Sequence, residues 1–119
     1  MKRDMELARK IMLNIQDGDL RGGVVGYDDD TINYHKALLE DKGLIEADVH
    51  YSSRGDKPPD IPDLVVIKRM TWEGHDFIDG IKNDDKWHKV KNFLKLAGKD
   101  LTIETIKYAV KHLFGFVES

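Results

Sequence analysis

The chain of 119 residues contains no cysteine, which excludes a disulfide framework and thiolate chemistry and fits a reducing compartment. No apolar run approaches the roughly 20 residues of a membrane span, and the opening "MKRDMELARK" is charged where a secretory signal needs an apolar stretch. A soluble, cytoplasmic protein is the expectation. An excess of positive charge is also lacking. Lys and Arg number 19 against 22 Asp and Glu, for a net charge of -3 and a pI near 5.9. Nothing attracts phosphate globally, so nucleic-acid binding requires a local basic surface.

Motifs for catalysis are missing as well. The five histidines, at 35, 50, 75, 88 and 112, never take the His-x-x-x-His or His-Glu-x-x-His spacing that sets two metal ligands on one helix face. Adjacent His75 and Asp76 point about 100° apart on a helix and cannot share an ion without further ligands. The stretch "RGGVVGY" has no preceding strand and no following Lys-Ser/Thr, so it is not a phosphate loop, and there is no nucleophile elbow. No catalytic residue, metal or cofactor is expected, and the chain reads as something other than an enzyme. "RGD" at 54–56 is assigned no function.

What is present is a clear order of elements. Met5, Ala8, Ile11, Met12 and Ile15 line one face of a helix over 3–16, ended by "DGD". "LRGGVVGY" reads as a turn with at most a very short strand. A second helix over 28–42 starts with Asp28 as N-cap and Asp29 and Asp30 at the positive end of the dipole, sets Ile32, His35 and Leu39 on one face, and closes at Gly43. His35 is expected as a packing imidazole with one satisfied hydrogen bond.

"LIEADVHY" then alternates apolar and polar residues as a half-buried strand, and "LVVIKRM" at 64–70 answers it across a Pro- and Gly-rich tip. In "RMTWEGHDFID", Thr71 caps a short helix whose Trp72, Phe77 and Ile78 are expected to pack, with Glu73 and Asp76 near its N-terminal turn. Helices over 84–97 (Trp87, Val90, Leu94, Ala97) and 102–117 (Ile103, Ile106, Val110, Leu113, Val117) complete the chain. Phe114 and Phe116 are the candidates for an exposed apolar edge. There is no internal repeat and no low-complexity segment.

A helix ending in "LLEDKGLIEA", a β-hairpin, and a strand running into "MTWEGHDFI" resemble a winged-helix domain, whose wing commonly leads into a "LT..G...L" helix start. Across "MKRDM", "GYDDDTINYHKALLEDKGLI", "MTWEGHDFID", "W.KVK" and "LTIETIK", the chain resembles a family of small uncharacterised proteins of bacteria and their phages, defined as a domain of unknown function. The resemblance implies an α+β fold: a winged-helix-like domain over 1–82 and a C-terminal two-helix extension over 83–119, packed on that domain or mediating association, a homodimer included. It implies a non-catalytic binding or regulatory protein of phage or mobile-element type. The spacing departs from the ordinary winged helix in leaving only about a dozen residues, too few for the middle helix of a helix-turn-helix.

Two partner classes follow. If DNA is bound, as by a transcriptional regulator, Asn33, Tyr34 and Lys36 enter the groove while Arg54, Lys57, Lys68 and Arg69 grip the backbone. Reversing the wing charges then abolishes binding. Against this, residues 18–50 hold three cations and eight carboxylates, a net of -5, which repels phosphate. If a protein is bound, for example a host defence complex inhibited by an anti-CRISPR-like protein, the surface is acidic: Asp28, Asp29, Asp30, Glu40 and Asp41. The C-terminal lysines, Lys82, Lys86 and Lys89 on one stripe if the helix is continuous there and Lys91, Lys95 and Lys99 on another, lie among carboxylates and read as solvated helix faces.

Overall fold

A computed structural model describes residues 1–21, 23–51 and 57–115. The elements run α1 (Met5–Gln16), α2 (Asp29–Asp41), β1 (Ile45–His50), β2 (Leu64–Met70), α3 (Trp72–Ile81), α4 (Asp84–Leu96) and α5 (Ile103–Phe114), an α+β chain with one two-stranded antiparallel sheet. The chain divides into two compact units, Met1–His75 and Asp76–Ser119. That boundary falls within α3. Between Gln16 and Asp29 the described residues form turns and bends without a helix.

In the first unit, α1 buries Met5, Leu7, Ala8, Ile11, Met12 and Ile15 on one face, α2 buries Ile32, His35 and Leu39, and β2 buries Val65, Ile67 and Met70. Strict alternation along β2 would turn Arg69 inward after Ile67. A bulge prevents this: the register steps from Ala47↔Ile67 to Glu46↔Arg69, leaving Lys68 as the extra residue. The phase shifts by one, so that Met70 opposite Ile45 faces the core.

A polar network ties α1, the 17–28 turn and α2 together. Asp4 caps α1 through Oδ1, which accepts from the Glu6 and Leu7 amides at 3.0 and 3.2 Å, and its Oδ2 accepts from the Tyr27 hydroxyl at 3.1 Å. That hydrogen bond to the carboxylate holds the Tyr27 phenol above its ordinary pKa. The Asp4 amide donates to His35 Nε2 at 2.8 Å, and His35 Nδ1 lies 2.8 Å from the Thr31 carbonyl. Nε2 must accept and Nδ1 must donate, which assigns the neutral Nδ1–H tautomer. His35 is 0% exposed and satisfies two hydrogen bonds where one was expected.

The β2–α3 junction explains "MTWEG". The Thr71 amide donates to the Leu44 carbonyl at 3.1 Å. The Thr71 hydroxyl donates to the Gly43 carbonyl at 2.6 Å and accepts from the Gly74 amide at 3.0 Å, capping α3 while fastening it to the α2–β1 turn. A Cβ at Gly74 would overlap the Leu44 carbonyl oxygen and lie 2.7 Å from Met70 Cγ, so only glycine lets the first turn of α3 come this close. Trp72, expected to pack, is instead 83% exposed: as the first residue of α3 it precedes the buried stripe of Phe77, Ile78 and Ile81.

In the second unit, α4 and α5 pack on each other, with Trp87, Val90 and Leu94 buried on α4 and Ile103, Ile106, Ala109 and Val110 on α5. Asn83 caps α4 and a Thr102–Thr105 capping box starts α5. Two expectations are corrected. Ala97 lies past the end of α4 and is exposed, and Leu113 is exposed rather than in the stripe. The Lys82–Lys86–Lys89 stripe required a continuous helix, but α3 ends at Ile81 and Asn83 begins α4. Phe116 and Val117 lie outside the described residues.

Candidate interaction surface

The DNA-contact residues are placed as follows. Asn33 is half-buried, and its Nδ2 donates to the Asp63 carbonyl at 3.3 Å, joining α2 to the start of β2. Tyr34 sets its ring edge-on to His35, centroids 5.2 Å apart. Lys57 Nζ lies 2.9 Å from Asp63 and 3.1 Å from Asp30, and these two carboxylates, Asp63 foremost, raise its pKa above the ordinary 10.5. Lys68 pairs with Asp48 at 3.4 Å and Arg69 with Glu46 at 2.6 Å. Arg54 lies outside the described residues.

Lys36 stands apart. Only 8% of it is exposed, and burial lowers its pKa, with Asp19 and Asp29 acting in the opposite sense. Among the described residues no carboxylate forms an ion pair with it.

The acidic set does not form one patch. Asp28 caps α2, and its hydrogen bonds from Thr31 lower its pKa. Asp30 is held by Lys57. Glu40 and Asp41 lie at the other end of α2, roughly 15 Å away at 1.5 Å per residue, beyond strong mutual influence in salt. Glu73, His75 and Asp76 are all exposed. His75 Nδ1 has Gln16 Nε2 at 3.5 Å, and among the described residues no three His, Asp or Glu side chains gather to hold a metal ion.

Sequence reasoning missed a groove of about 750 Å³ in the first unit. It is walled by α2 (Asp29, Asp30, Ile32, Asn33, Lys36), by Leu20, Arg21 and Gly23, and by Leu64, Val65, Val66 and Ile67 of β2, with Lys57 and Asp63 at one end. Consecutive strand residues point to opposite faces, so a groove touched by four in succession runs along the edge of the strand. The only signal in the sequence was the unbroken "LVVI": in a hairpin half of such a run must face outward, and Leu64 and Val66 are 53% and 45% exposed.

These features define an α+β chain whose first unit carries a helix pair, a β-hairpin and a strand-edge groove. The chain belongs to the DUF2513 family, described as hypothetical proteins, whose model matches residues 2–100. It is similar to an uncharacterised protein of Haemophilus influenzae, 35% identical over 113 residues covering 90% of each chain. No solved structure matches. Among the described residues no helix is long and apolar enough to cross a membrane.

Proposed function

We propose that the chain is a non-catalytic, cytoplasmic protein-binding module built on a reduced winged helix. The order α1, α2, β1, β2, α3 supports the winged-helix likeness, with turns where the middle helix would lie. One observation carries the choice of a protein over DNA. Lys57, Lys68 and Arg69 already pair with carboxylates of the same unit, and Lys36 is recessed. Phosphate binding would require breaking those pairs beside Asp28 and Asp29, which opposes counterion release. Leu64 and Val66, exposed on the hairpin, instead suit an apolar protein contact.

The test is a titration of a labelled DNA duplex from about 50 to 200 mM salt. The expected outcome is no measurable binding, and Lys68→Glu with Arg69→Glu changes nothing. Binding that weakens by about 10³-fold or more over that range, and is lost on charge reversal, restores the regulator reading.

A further inference from the structure

Charge is unevenly distributed along the helices of the second unit. Residues 86–99 hold five lysines and residues 105–115 two more, with no Asp or Glu in either stretch. The carboxylates lie elsewhere: Asp84, Asp85 and Glu104 in the first turns of α4 and α5, where helix dipoles favour them, and Asp100 between the helices. Lys86 Nζ stands 5.0 Å from the ring centroid of Phe114, so the start of α4 meets the end of α5 and the two run antiparallel. The lysines thus form a belt between two acidic ends. Lys89, Lys95, Lys99, Lys107 and Lys111 are exposed and form no ion pair among the described residues, unlike Lys57, Lys68 and Arg69 of the first unit.

One side of the belt is also apolar. Phe93 and His112 have ring centroids 5.0 Å apart, Tyr108 and His112 6.0 Å, and Phe93 and Tyr108 6.2 Å, with planes within 37° of parallel. Leu96, one turn beyond Phe93, is 80% exposed, and Tyr108 is 52% exposed. Lys89 lies one turn before Phe93 and Lys111 one turn beyond Tyr108, so ammonium groups bracket the rings. The carboxylates that reach this side are Asp85, one turn before Lys89, and Glu104, one turn before Tyr108 and already engaged. Lys86, Lys89, Lys107 and Lys111 outnumber them.

Charge complementarity therefore selects an anionic partner. Bases of a nucleic acid need open ring faces to stack on, whereas these rings lean on one another, and a phosphate backbone offers nothing apolar to Leu96. An acidic polypeptide offers both kinds of group. We propose that this face of α4 and α5 binds an acidic segment of a partner protein, its carboxylates against Lys89 and Lys111 and an apolar side chain against Phe93, Leu96 and Tyr108. This rests on the protein-binding reading and names a surface and the chemistry of its partner.

The probe is a displayed library of random peptides sorted against the full chain. Selected peptides should be enriched in Asp and Glu and share an apolar side chain. Replacing their carboxylates by amides should weaken binding about ten-fold or more on the native chain, and far less on the double variant Lys89→Gln, Lys111→Gln. Leu96→Ser, altered at an exposed position, should weaken every selected peptide. Binding should shift the ring proton signals of Tyr108 and His112.

Peptides without acidic enrichment, peptides indifferent to both variants, or no binders at all would each overturn the proposal. So would displacement of the peptides by a single-stranded oligothymidylate or by phosphatidylglycerol vesicles, or a dimer of the chain dissolved by Leu96→Ser. Partner proteins captured after nuclease treatment by the native chain separate the two levels. If both variants retain them, the assignment of this face fails and the protein-binding reading stands. If the native chain captures none and binds duplex DNA, the reading beneath it fails.

Discussion

A lysine ammonium taken out of water loses hydration that only a paired anion restores, and the two lysines of the groove illustrate both outcomes. Lys36, recessed and without an ion pair among the described residues, has its pKa lowered by burial. Between that lowered value and the ordinary 10.5 the unfolded chain binds more protons than the folded one, so stability rises with pH in that window. Lys36→Met removes a recessed, partly desolvated charge and should stabilise the fold, by less than about 1 kcal/mol because solvent and the nearby Asp19 and Asp29 offset the burial, read as a higher urea midpoint at neutral pH. A lower midpoint would show that the ammonium is well satisfied. Lys57 has the opposite sign: Asp63 and Asp30 raise its pKa, so its contribution is fully present below 10.5 and is lost as pH rises through the raised value. Lys57→Met should therefore be less stable than the native chain at pH 7, with the difference closing above pH 10.5.

At the scale of elements, two junctions hold the first unit. Removing His35 strips Asp4 of the acceptor for its amide and Thr31 of the donor to its carbonyl, and leaves a cavity. His35→Ala should cost about 3 kcal/mol in urea unfolding. Gly74→Ala drives a methyl into the Leu44 carbonyl and Met70, and should cost about 3 kcal/mol or more, read as a collapse of the thermal midpoint. Thr71→Ser, which keeps the hydroxyl, should be nearly neutral beside it.

These elements were legible in the sequence because each is signalled locally: the 3.6-residue period of α1, Asp28 before α2, the alternation of β1. What local pattern cannot carry is tertiary proximity. Asp4 and His35 are 31 positions apart, and a packed Trp72 was expected from helical spacing alone, which does not say which residue of the first turn meets a neighbour. The groove was invisible for the same reason, since its walls come from segments beginning at 20, 29 and 63. "RMTWEGHDFID", whose charged residues suggested chemistry, works through Thr71 and Gly74 instead.

On the scale of the whole molecule, a net charge of -3 is less informative than how the charges are paired. The described cations on the hairpin are matched by carboxylates of the same unit, leaving the exposed Leu64 and Val66 as the hairpin's features open to a partner. The second unit uses the apolar stripes of α4 and α5 against each other and leaves Leu96, Tyr108 and Leu113 exposed. The central claim is that the partner is a protein. Its most direct test is capture from a bacterial lysate by the tagged full chain, with and without nuclease. The account predicts that the same specific proteins are retained after nuclease treatment. Loss of all captured material on nuclease treatment, with DNA recovered from the untreated sample, would contradict it.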